Sequence, residues 1–223
     1  MSTINASELL RPGLLEGVSI LLAGAPAISS EGSSGGRVGV ACTGLGARVY
    51  ECQLAIDAPV GGADDAVERA AHDVVERALD DAGGVQLLVI DAASVFAAAR
   101  DAGERGEAPD AMRDALRECL DVSWNVTRAV AERAFLTDAR GGRIVYLAPR
   151  GDAGEHAHAA RAGLENLART LSIEWARHGI TAVAIAPGIA SAAEIAALIA
   201  YLASPAGAYF SGCLLDLTGT ELP

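Results

Sequence analysis

The side chains best suited to proton transfer lie between positions 146 and 161. Histidine titrates near neutral pH, so His156 or His158 could act as a general acid or base. Tyr146 carries a phenol that could also exchange a proton, and it lies in an apolar run typical of a strand. Acidic residues beside the two histidines favour a simpler interpretation, in which both imidazoles lie on an exposed first helical turn. On the same interpretation, Tyr146 is a buried core residue.

These residues lie beside a long amphipathic helix, which is followed by a turn and a buried strand. The apolar positions of the helix recur every three or four residues and share one face: Leu164, Leu167, Ala168, Leu171 and Trp175. Gly179 stands where a left-handed helix cap is needed. Residues 180–186 are almost entirely apolar, as expected for a strand covered on both faces, and Pro187-Gly188 ends it.

This unit resembles the C-terminal half of the short-chain dehydrogenase/reductase family, especially its 3-oxoacyl-carrier-protein reductase-like branch. In that family the helix opens with Tyr-x-x-x-Lys, usually followed by Ala-Gly-Leu. Residues 161–164 read Arg-Ala-Gly-Leu, so Arg161 takes the Lys position and Ala157 the Tyr position. The strand before it resembles the family's Gly-Arg-Ile-Val-Asn-Ile-Ser-Ser, which puts Ala148 or Pro149 at the catalytic serine. Ser123 is an approximate match to the Asn that anchors a proton-relay water.

The resemblance implies that these four positions are degenerate. A free phenol titrates near 10, and the family uses a Lys ammonium to favour its phenolate. Arg keeps the positive charge but cannot shuttle a proton, and the chain contains no Lys at all. Neither Ala nor Pro has a side chain that can donate a hydrogen bond to a substrate carbonyl. We therefore expect no catalytic residue of the family type in this chain.

The cofactor motifs are also altered. The first strand, at 18–23, is followed by Gly24, and the next helix is expected to begin near Gly35-Gly36. The loop between them is longer than the family's phosphate-binding turn, and Glu31 within it would oppose a phosphate. Gln53 stands where family members discriminate between NAD and NADP, and Asp91 falls in the segment that replaces Asn-Asn-Ala-Gly. We keep these positions as vestigial cofactor-binding candidates, and expect no bound cofactor in this chain: Gly24, Gly35, Gly36, Gln53 and Asp91.

The length and the order of apolar segments predict an α/β fold. The expected architecture is a single doubly wound, Rossmann-like domain over 17–223, shortened relative to the family, with a parallel sheet of about six to seven strands and helices on both faces. Residues 1–16 form an N-terminal arm whose leucines (Leu9, Leu10, Leu14 and Leu15) could dock on a neighbour. Further strands are expected at 47–53, 85–90, 141–149 and 214–217, with a remnant at 54–59, and helices at 65–79, 111–135 and after Ser191.

Composition narrows the range of partners and compartments. A net charge of −12 argues against a nucleic-acid surface, and no apolar run is long enough for a membrane helix. The N-terminus lacks a basic-then-apolar signal pattern, which indicates a cytoplasmic protein. Four cysteines without metal-ligand spacing are expected to be reduced core residues: Cys42, Cys52, Cys119 and Cys213.

The altered motifs concern chemistry, whereas the segments that match the family best are two long helices and the last strand. In the family, these elements form the two dimer interfaces of a tetramer. The resemblance therefore implies a non-catalytic subunit of a heterodimer or heterotetramer, whose catalytic sister subunit binds NAD(P) and acts on a hydroxyacyl or oxoacyl thioester. Its expected interface residues are Leu164, Leu167, Leu171, Trp175 and Leu215. Two alternatives stay open: an active NAD(P)-dependent oxidoreductase with an altered acid/base, and a small-ligand sensor.

Overall fold

The helices and strands are arranged around one parallel sheet. The computed structural model describes residues 6–26, 34–54, 63–106, 110–137, 141–217 and 219. Its six strands pair in the order β2-β1-β3-β4-β5-β6, and every pair is parallel. They are β1 (Ser19–Gly24), β2 (Arg48–Gln53), β3 (Leu87–Asp91), β4 (Gly142–Leu147), β5 (Ile180–Ala186) and β6 (Cys213–Asp216). The prediction of a doubly wound α/β fold is confirmed.

Helices cover both faces of this sheet. The helices are α1 (Ala6–Leu9), α2 (Ser34–Gly44), α3 (Ala63–Ala82), α4 (Ala92–Arg105), α5 (Ala111–Val130), α6 (Ala157–Glu174) and α7 (Ala192–Ala203). Successive side chains of a strand point to opposite faces, so Leu21 packs in one apolar cluster while Ile20 and Leu22 pack in another. The first cluster includes buried residues of α3 to α6, and the second those of α1, α2 and α7. The central strands are therefore apolar throughout, since both of their faces are covered.

Most predicted elements lie where the sequence places them, with three differences. Helix α4 was not predicted, and its start depends on a cap described below. The helix expected over 111–135 is α-helical to Val130 and continues as a π-helical turn, Ala131–Phe135. The strand remnant expected at 54–59 falls mainly outside the described residues, and Leu54 itself is not in a strand.

The described part of the N-terminal arm, residues 6–16, packs on its own domain, which corrects the expectation that its leucines dock on a neighbour. Leu15 is fully buried, and its N–H donates to the carbonyl of Leu45 at 2.9 Å. Leu10 and Leu14 pack against the same apolar cluster, and only Leu9 is well exposed. The sequence shows that these residues are apolar, but it does not show which surface covers them. Within the described ranges, no helix combines the length and the apolar character needed to cross a bilayer.

Candidate functional site

The strand order creates a crevice at the carboxyl ends of β1 and β3. These strands are neighbours, yet the chain leaves β1 toward β2 on one side, while β3 leads to β4 on the other. In open α/β sheets, ligands bind at such a topological switch point, outside the carboxyl ends of the strands. The last residues of the two strands, Gly24 and Asp91, lie in register there. Two of the predicted cofactor-binding candidates are thus brought together by the fold.

Asp91 is bound to two helices at this point. One carboxylate oxygen accepts a hydrogen bond from the Ser94 N–H at 3.1 Å, which caps the first turn of α4. The carboxyl group also accepts one from the backbone N–H of Gly35, in the first turn of α2. Both donors belong to helix N-termini, whose first N–H groups have no partner within the helix. The Asp91 side chain therefore links the amino ends of α2 and α4 across the switch point.

Ser94 adds a second bridge. Its hydroxyl donates to the carbonyl of Asp91 at 2.7 Å and accepts from the N–H of Ala25 at 3.0 Å. Ala25 is the first residue after β1, so the end of β1 is tied to the start of α4 through one side chain. The sequence analysis did not identify Ser94. The one signal for it was its position three residues after Asp91, a spacing typical of a helix cap.

Burial governs the electrostatics of Asp91. The residue is only 3% exposed, and desolvation raises the pKa of its carboxyl group to about 6. The hydrogen bonds from Ser94 and Gly35 favour the ionised form and partly oppose this rise. Near neutral pH, the switch point therefore contains a mostly ionised carboxylate held by backbone donors.

The other cofactor candidates lie nearby or at the sheet edge. Gly35 and Gly36 are buried in the first turn of α2, which contains no acidic residue. Gln53 ends β2 in register with Gly24 and lines a groove of about 620 Å³ between the edge strand and α3. Glu31, expected to oppose a phosphate, lies outside the described residues.

The positions expected for the family's acid/base residues lie near the carboxyl ends of β4 and β6. Ala148 follows β4 and is buried, with its N–H bonded to the carbonyl of Ile185 at 2.9 Å. Ala157 opens α6 and is also fully buried. Arg161 lies one turn later, and its guanidinium forms an ion pair with the carboxylate of Asp216, the last residue of β6. Ser123 is buried in α5, where its hydroxyl donates to the Cys119 carbonyl of the same helix at 2.7 Å.

The three side chains considered for proton transfer have different surroundings. Tyr146 is fully buried and its hydroxyl lies 2.8 Å from the hydroxyl of Thr127; burial raises its pKa above the ordinary value. Its interpretation as a core residue is confirmed. His156 is half-buried and has a positive φ of 67°, an uncommon conformation for a residue other than glycine. His158 is exposed, with its ring against Gly151 in the loop after β4.

A further residue that the sequence analysis missed spans the loops after β4 and β5. The guanidinium of Arg150 donates to the carbonyls of Gly188 and Ala190. Arg150 follows Pro149, so this contact ties the end of β4 to the Pro187-Gly188 turn. An arginine in a loop has no sequence signal for such a contact, because its acceptors are backbone carbonyls about forty positions away.

The proposed interface residues require a correction. Leu164 and Leu171 pack in the apolar cluster of the protein's own sheet and helices, so they are not available to a partner. Leu167 and Trp175 are partly buried against that cluster, and Leu215 against the opposite one. Three- and four-residue spacing identifies the buried face of α6, but not whether that face is covered by the same chain.

Other apolar side chains of α5 and α6 are exposed at the surface. Trp124 of α5 is 39% exposed and stacks on Trp175, with ring centroids 6.3 Å apart and planes inclined by 27°. Ile173, near the end of α6, is 72% exposed. We call Trp124 and Trp175 the tryptophan surface. Only Trp175 of the two was expected from the sequence.

Comparison with known proteins agrees with this architecture. A family model described as Enoyl-(Acyl carrier protein) reductase matches residues 35–193, well over half of the chain. The chain is 26% identical over 188 residues to the 3-oxoacyl-[acyl-carrier-protein] reductase MabA of Mycobacterium avium, an alignment that covers 70% of this chain and 69% of that protein.

Solved structures share the fold. A short chain dehydrogenase from Mycobacterium smegmatis superposes with a TM-score of 0.68 at 21% identity, covering 100% of this chain and 98% of the other. The hydroxysteroid dehydrogenase of Escherichia coli gives a TM-score of 0.67 at 17% identity, covering 93% and 98%.

The six-stranded parallel sheet, its switch point and the flanking helices define a Rossmann-like α/β protein. With the family match over residues 35–193, the chain belongs to the short-chain dehydrogenase/reductase family of oxidoreductases.

Proposed function

We propose that this chain is a non-catalytic subunit of a cytoplasmic hetero-oligomeric short-chain dehydrogenase/reductase. The observation that carries the proposal is the state of the acid/base positions. Ala148 and Ala157 present buried methyl groups, and the guanidinium of Arg161 is engaged by Asp216. General acid/base assistance is typically worth about a hundred- to ten-thousand-fold in rate, and methyl groups cannot supply it.

The tryptophan surface supports the association part of the proposal. Large aromatic side chains are enriched at the centres of protein interfaces, where their burial contributes most of the binding energy. Trp124 and Trp175 belong to two different helices and are stacked, so they present a preformed surface. The partner is a catalytic family member, which holds NAD(P) and presents an apolar face of matching size.

The nature of the similar proteins supports an acyl thioester as the substrate of the complex. The matching family model and the mycobacterial relative are both described as reductases of chains carried on acyl carrier protein. The hydride transfer itself takes place in the partner subunit, because the partner retains the tyrosine and lysine that this chain lacks.

Co-expression with short-chain dehydrogenases of the same genome tests the proposal. We expect a stable complex by size-exclusion chromatography with light scattering, and NAD(P)H-dependent reduction of an oxoacyl thioester by the complex. The chain alone should be inactive. Trp124→Ala should abolish the complex, whereas Tyr209→Ala, at a residue 91% exposed outside the tryptophan surface, should preserve it. A homotetramer of this chain with strong unaided reductase activity would overturn the proposal.

The exposed imidazole of His158 favours one rival, an active oxidoreductase with an altered acid/base. His158 lies in the first turn of α6, next to Ala157, and contacts the loop after β4. If the purified chain reduces a carbonyl substrate, and His158→Ala removes that activity while a cofactor still binds, the rival is correct. If His156→Ala removes the activity and His158→Ala does not, the acid/base is the His156 imidazole.

A further inference from the structure

We infer that Asp91 closes the switch-point crevice from within: its carboxylate occupies the anion position at the amino end of α2 and keeps a dinucleotide pyrophosphate out. The inference adds to the proposed function by giving a physical reason why this subunit holds no cofactor. It concerns a residue that positions neighbouring elements and takes no part in chemistry.

The Asp91 carboxylate lies at the amino end of α2. The N-terminus of a helix attracts anions through free backbone N–H groups and the positive end of the helix dipole. In α2 the Gly35 N–H, which would face such an anion, donates to Asp91. A carboxylate supplies the same charge-assisted acceptor as a phosphate oxygen, so the Gly35 N–H is satisfied without a ligand.

Asp91 is held firmly in this position. The residue is only 3% exposed, and its second partner, the Ser94 N–H, fixes it at the start of α4. Ser94 is itself bonded to the Ala25 N–H, which takes up another donor at the end of β1. Backbone donors from α2, α4 and the segment after β1 are therefore used within the chain.

The charge of Asp91 also opposes an incoming pyrophosphate. A pyrophosphate entering this crevice would place its negative oxygens beside a buried carboxylate, where water screens the repulsion poorly. The Cys119 thiol of α5 faces Asp91. Burial raises the pKa of this thiol to about 12, so it stays neutral and does not offset the negative charge of Asp91.

Two variants and one control test the inference on the full chain. Asp91→Asn keeps one carbonyl oxygen as an acceptor and removes the charge, while Asp91→Ser removes charge and bulk but can still cap α4. The control is Asp80→Asn, which removes one charge from an exposed position of α3. Circular dichroism verifies that each variant is folded. The probes are inorganic pyrophosphate, titrated by calorimetry, and NADH, titrated by its fluorescence.

We expect the wild type and Asp80→Asn to show no saturable binding of either probe at micromolar concentrations. At least one folded Asp91 variant should bind pyrophosphate about tenfold more tightly or better. Micromolar binding of either probe by the wild type would overturn the inference, as would two folded Asp91 variants that bind no better than the wild type. Neither result would affect the proposed function, since a subunit can bind a cofactor without turning it over. Failure to form a complex with a sister enzyme would likewise leave the role of Asp91 intact.

Discussion

At the scale of single residues, Asp91 combines strong hydrogen bonding with an unfavourable environment for its charge. Two backbone N–H groups hold the carboxylate, but burial outweighs them and raises the pKa to about 6 from 3.8. The folded protein therefore binds a proton between about pH 4 and 6 that the unfolded chain releases. Since folding takes up a proton in this window, the contribution of Asp91 to stability is greatest below pH 4 and is lost as pH rises through 6.

This behaviour gives a prediction for the pH dependence of stability. Asp91→Asn removes the titration, so the variant should gain stability relative to the wild type as pH rises from 4 to 7, by up to about 3 kcal/mol. Urea unfolding at several pH values measures the difference. Asp80→Asn should follow the wild type throughout, because Asp80 is exposed in α3. A constant difference between Asp91→Asn and the wild type at all pH values would contradict the assigned titration.

At the scale of elements, the contact between β4 and the π-helical turn before it depends on the absence of a side chain. Gly142 begins β4, and a Cβ atom there would overlap the ring of Phe135. The ring is fully buried, so it has little room to move. The glycine thus lets the chain turn from the end of α5 into the sheet while Phe135 fills the core beside it.

Gly142→Ala is therefore expected to destabilise the protein by about 1–3 kcal/mol through overpacking. Gly44→Ala is the matched control, because a Cβ atom at Gly44 meets no atom within 4 Å and Gly44 is the last residue of α2. There the change should be neutral or stabilising by up to about 1 kcal/mol, as alanine favours the helical conformation. Thermal unfolding of both variants measures the difference; equal effects would show that the Phe135 contact is unimportant.

At the scale of the whole molecule, the N-terminal segment and the sheet form one unit. Leu15 is buried in the cluster that also contains Ile20 and Leu22 of β1. The sequence changes in character after residue 16, but residues on both sides of that point pack in the same apolar cluster. Residues 6–15 pack on the face of the sheet that α2 and α7 cover.

Leu15→Ala should consequently cost about 2–5 kcal/mol of unfolding free energy, the range for removing a buried leucine side chain. Leu9→Ala, at a residue 62% exposed, should change it by less than about 0.5 kcal/mol. Chemical denaturation of the isolated chain compares the two. If Leu15→Ala were as mild as Leu9→Ala, the segment would be an independent arm after all.

The amino-acid sequence by itself determined the fold class, the positions of all six strands of the described sheet and of most helices, and the residue types at the expected acid/base positions. Strand and helix patterns repeat over a few residues, so neighbours along the chain are enough to reveal them. Residue type alone likewise shows that Ala148 and Ala157 cannot transfer a proton.

Only the tertiary structure decided which apolar residues remain exposed and which polar groups meet. Leu164 and Trp175 share one helix face, yet the first is covered by the protein's own core while the second stacks on Trp124 at the surface. Asp91 meets Gly35, and Arg150 meets Gly188, only because the parallel sheet brings the ends of distant strands together. Burial and such contacts arise between segments far apart in the chain, and no local pattern of residues records them.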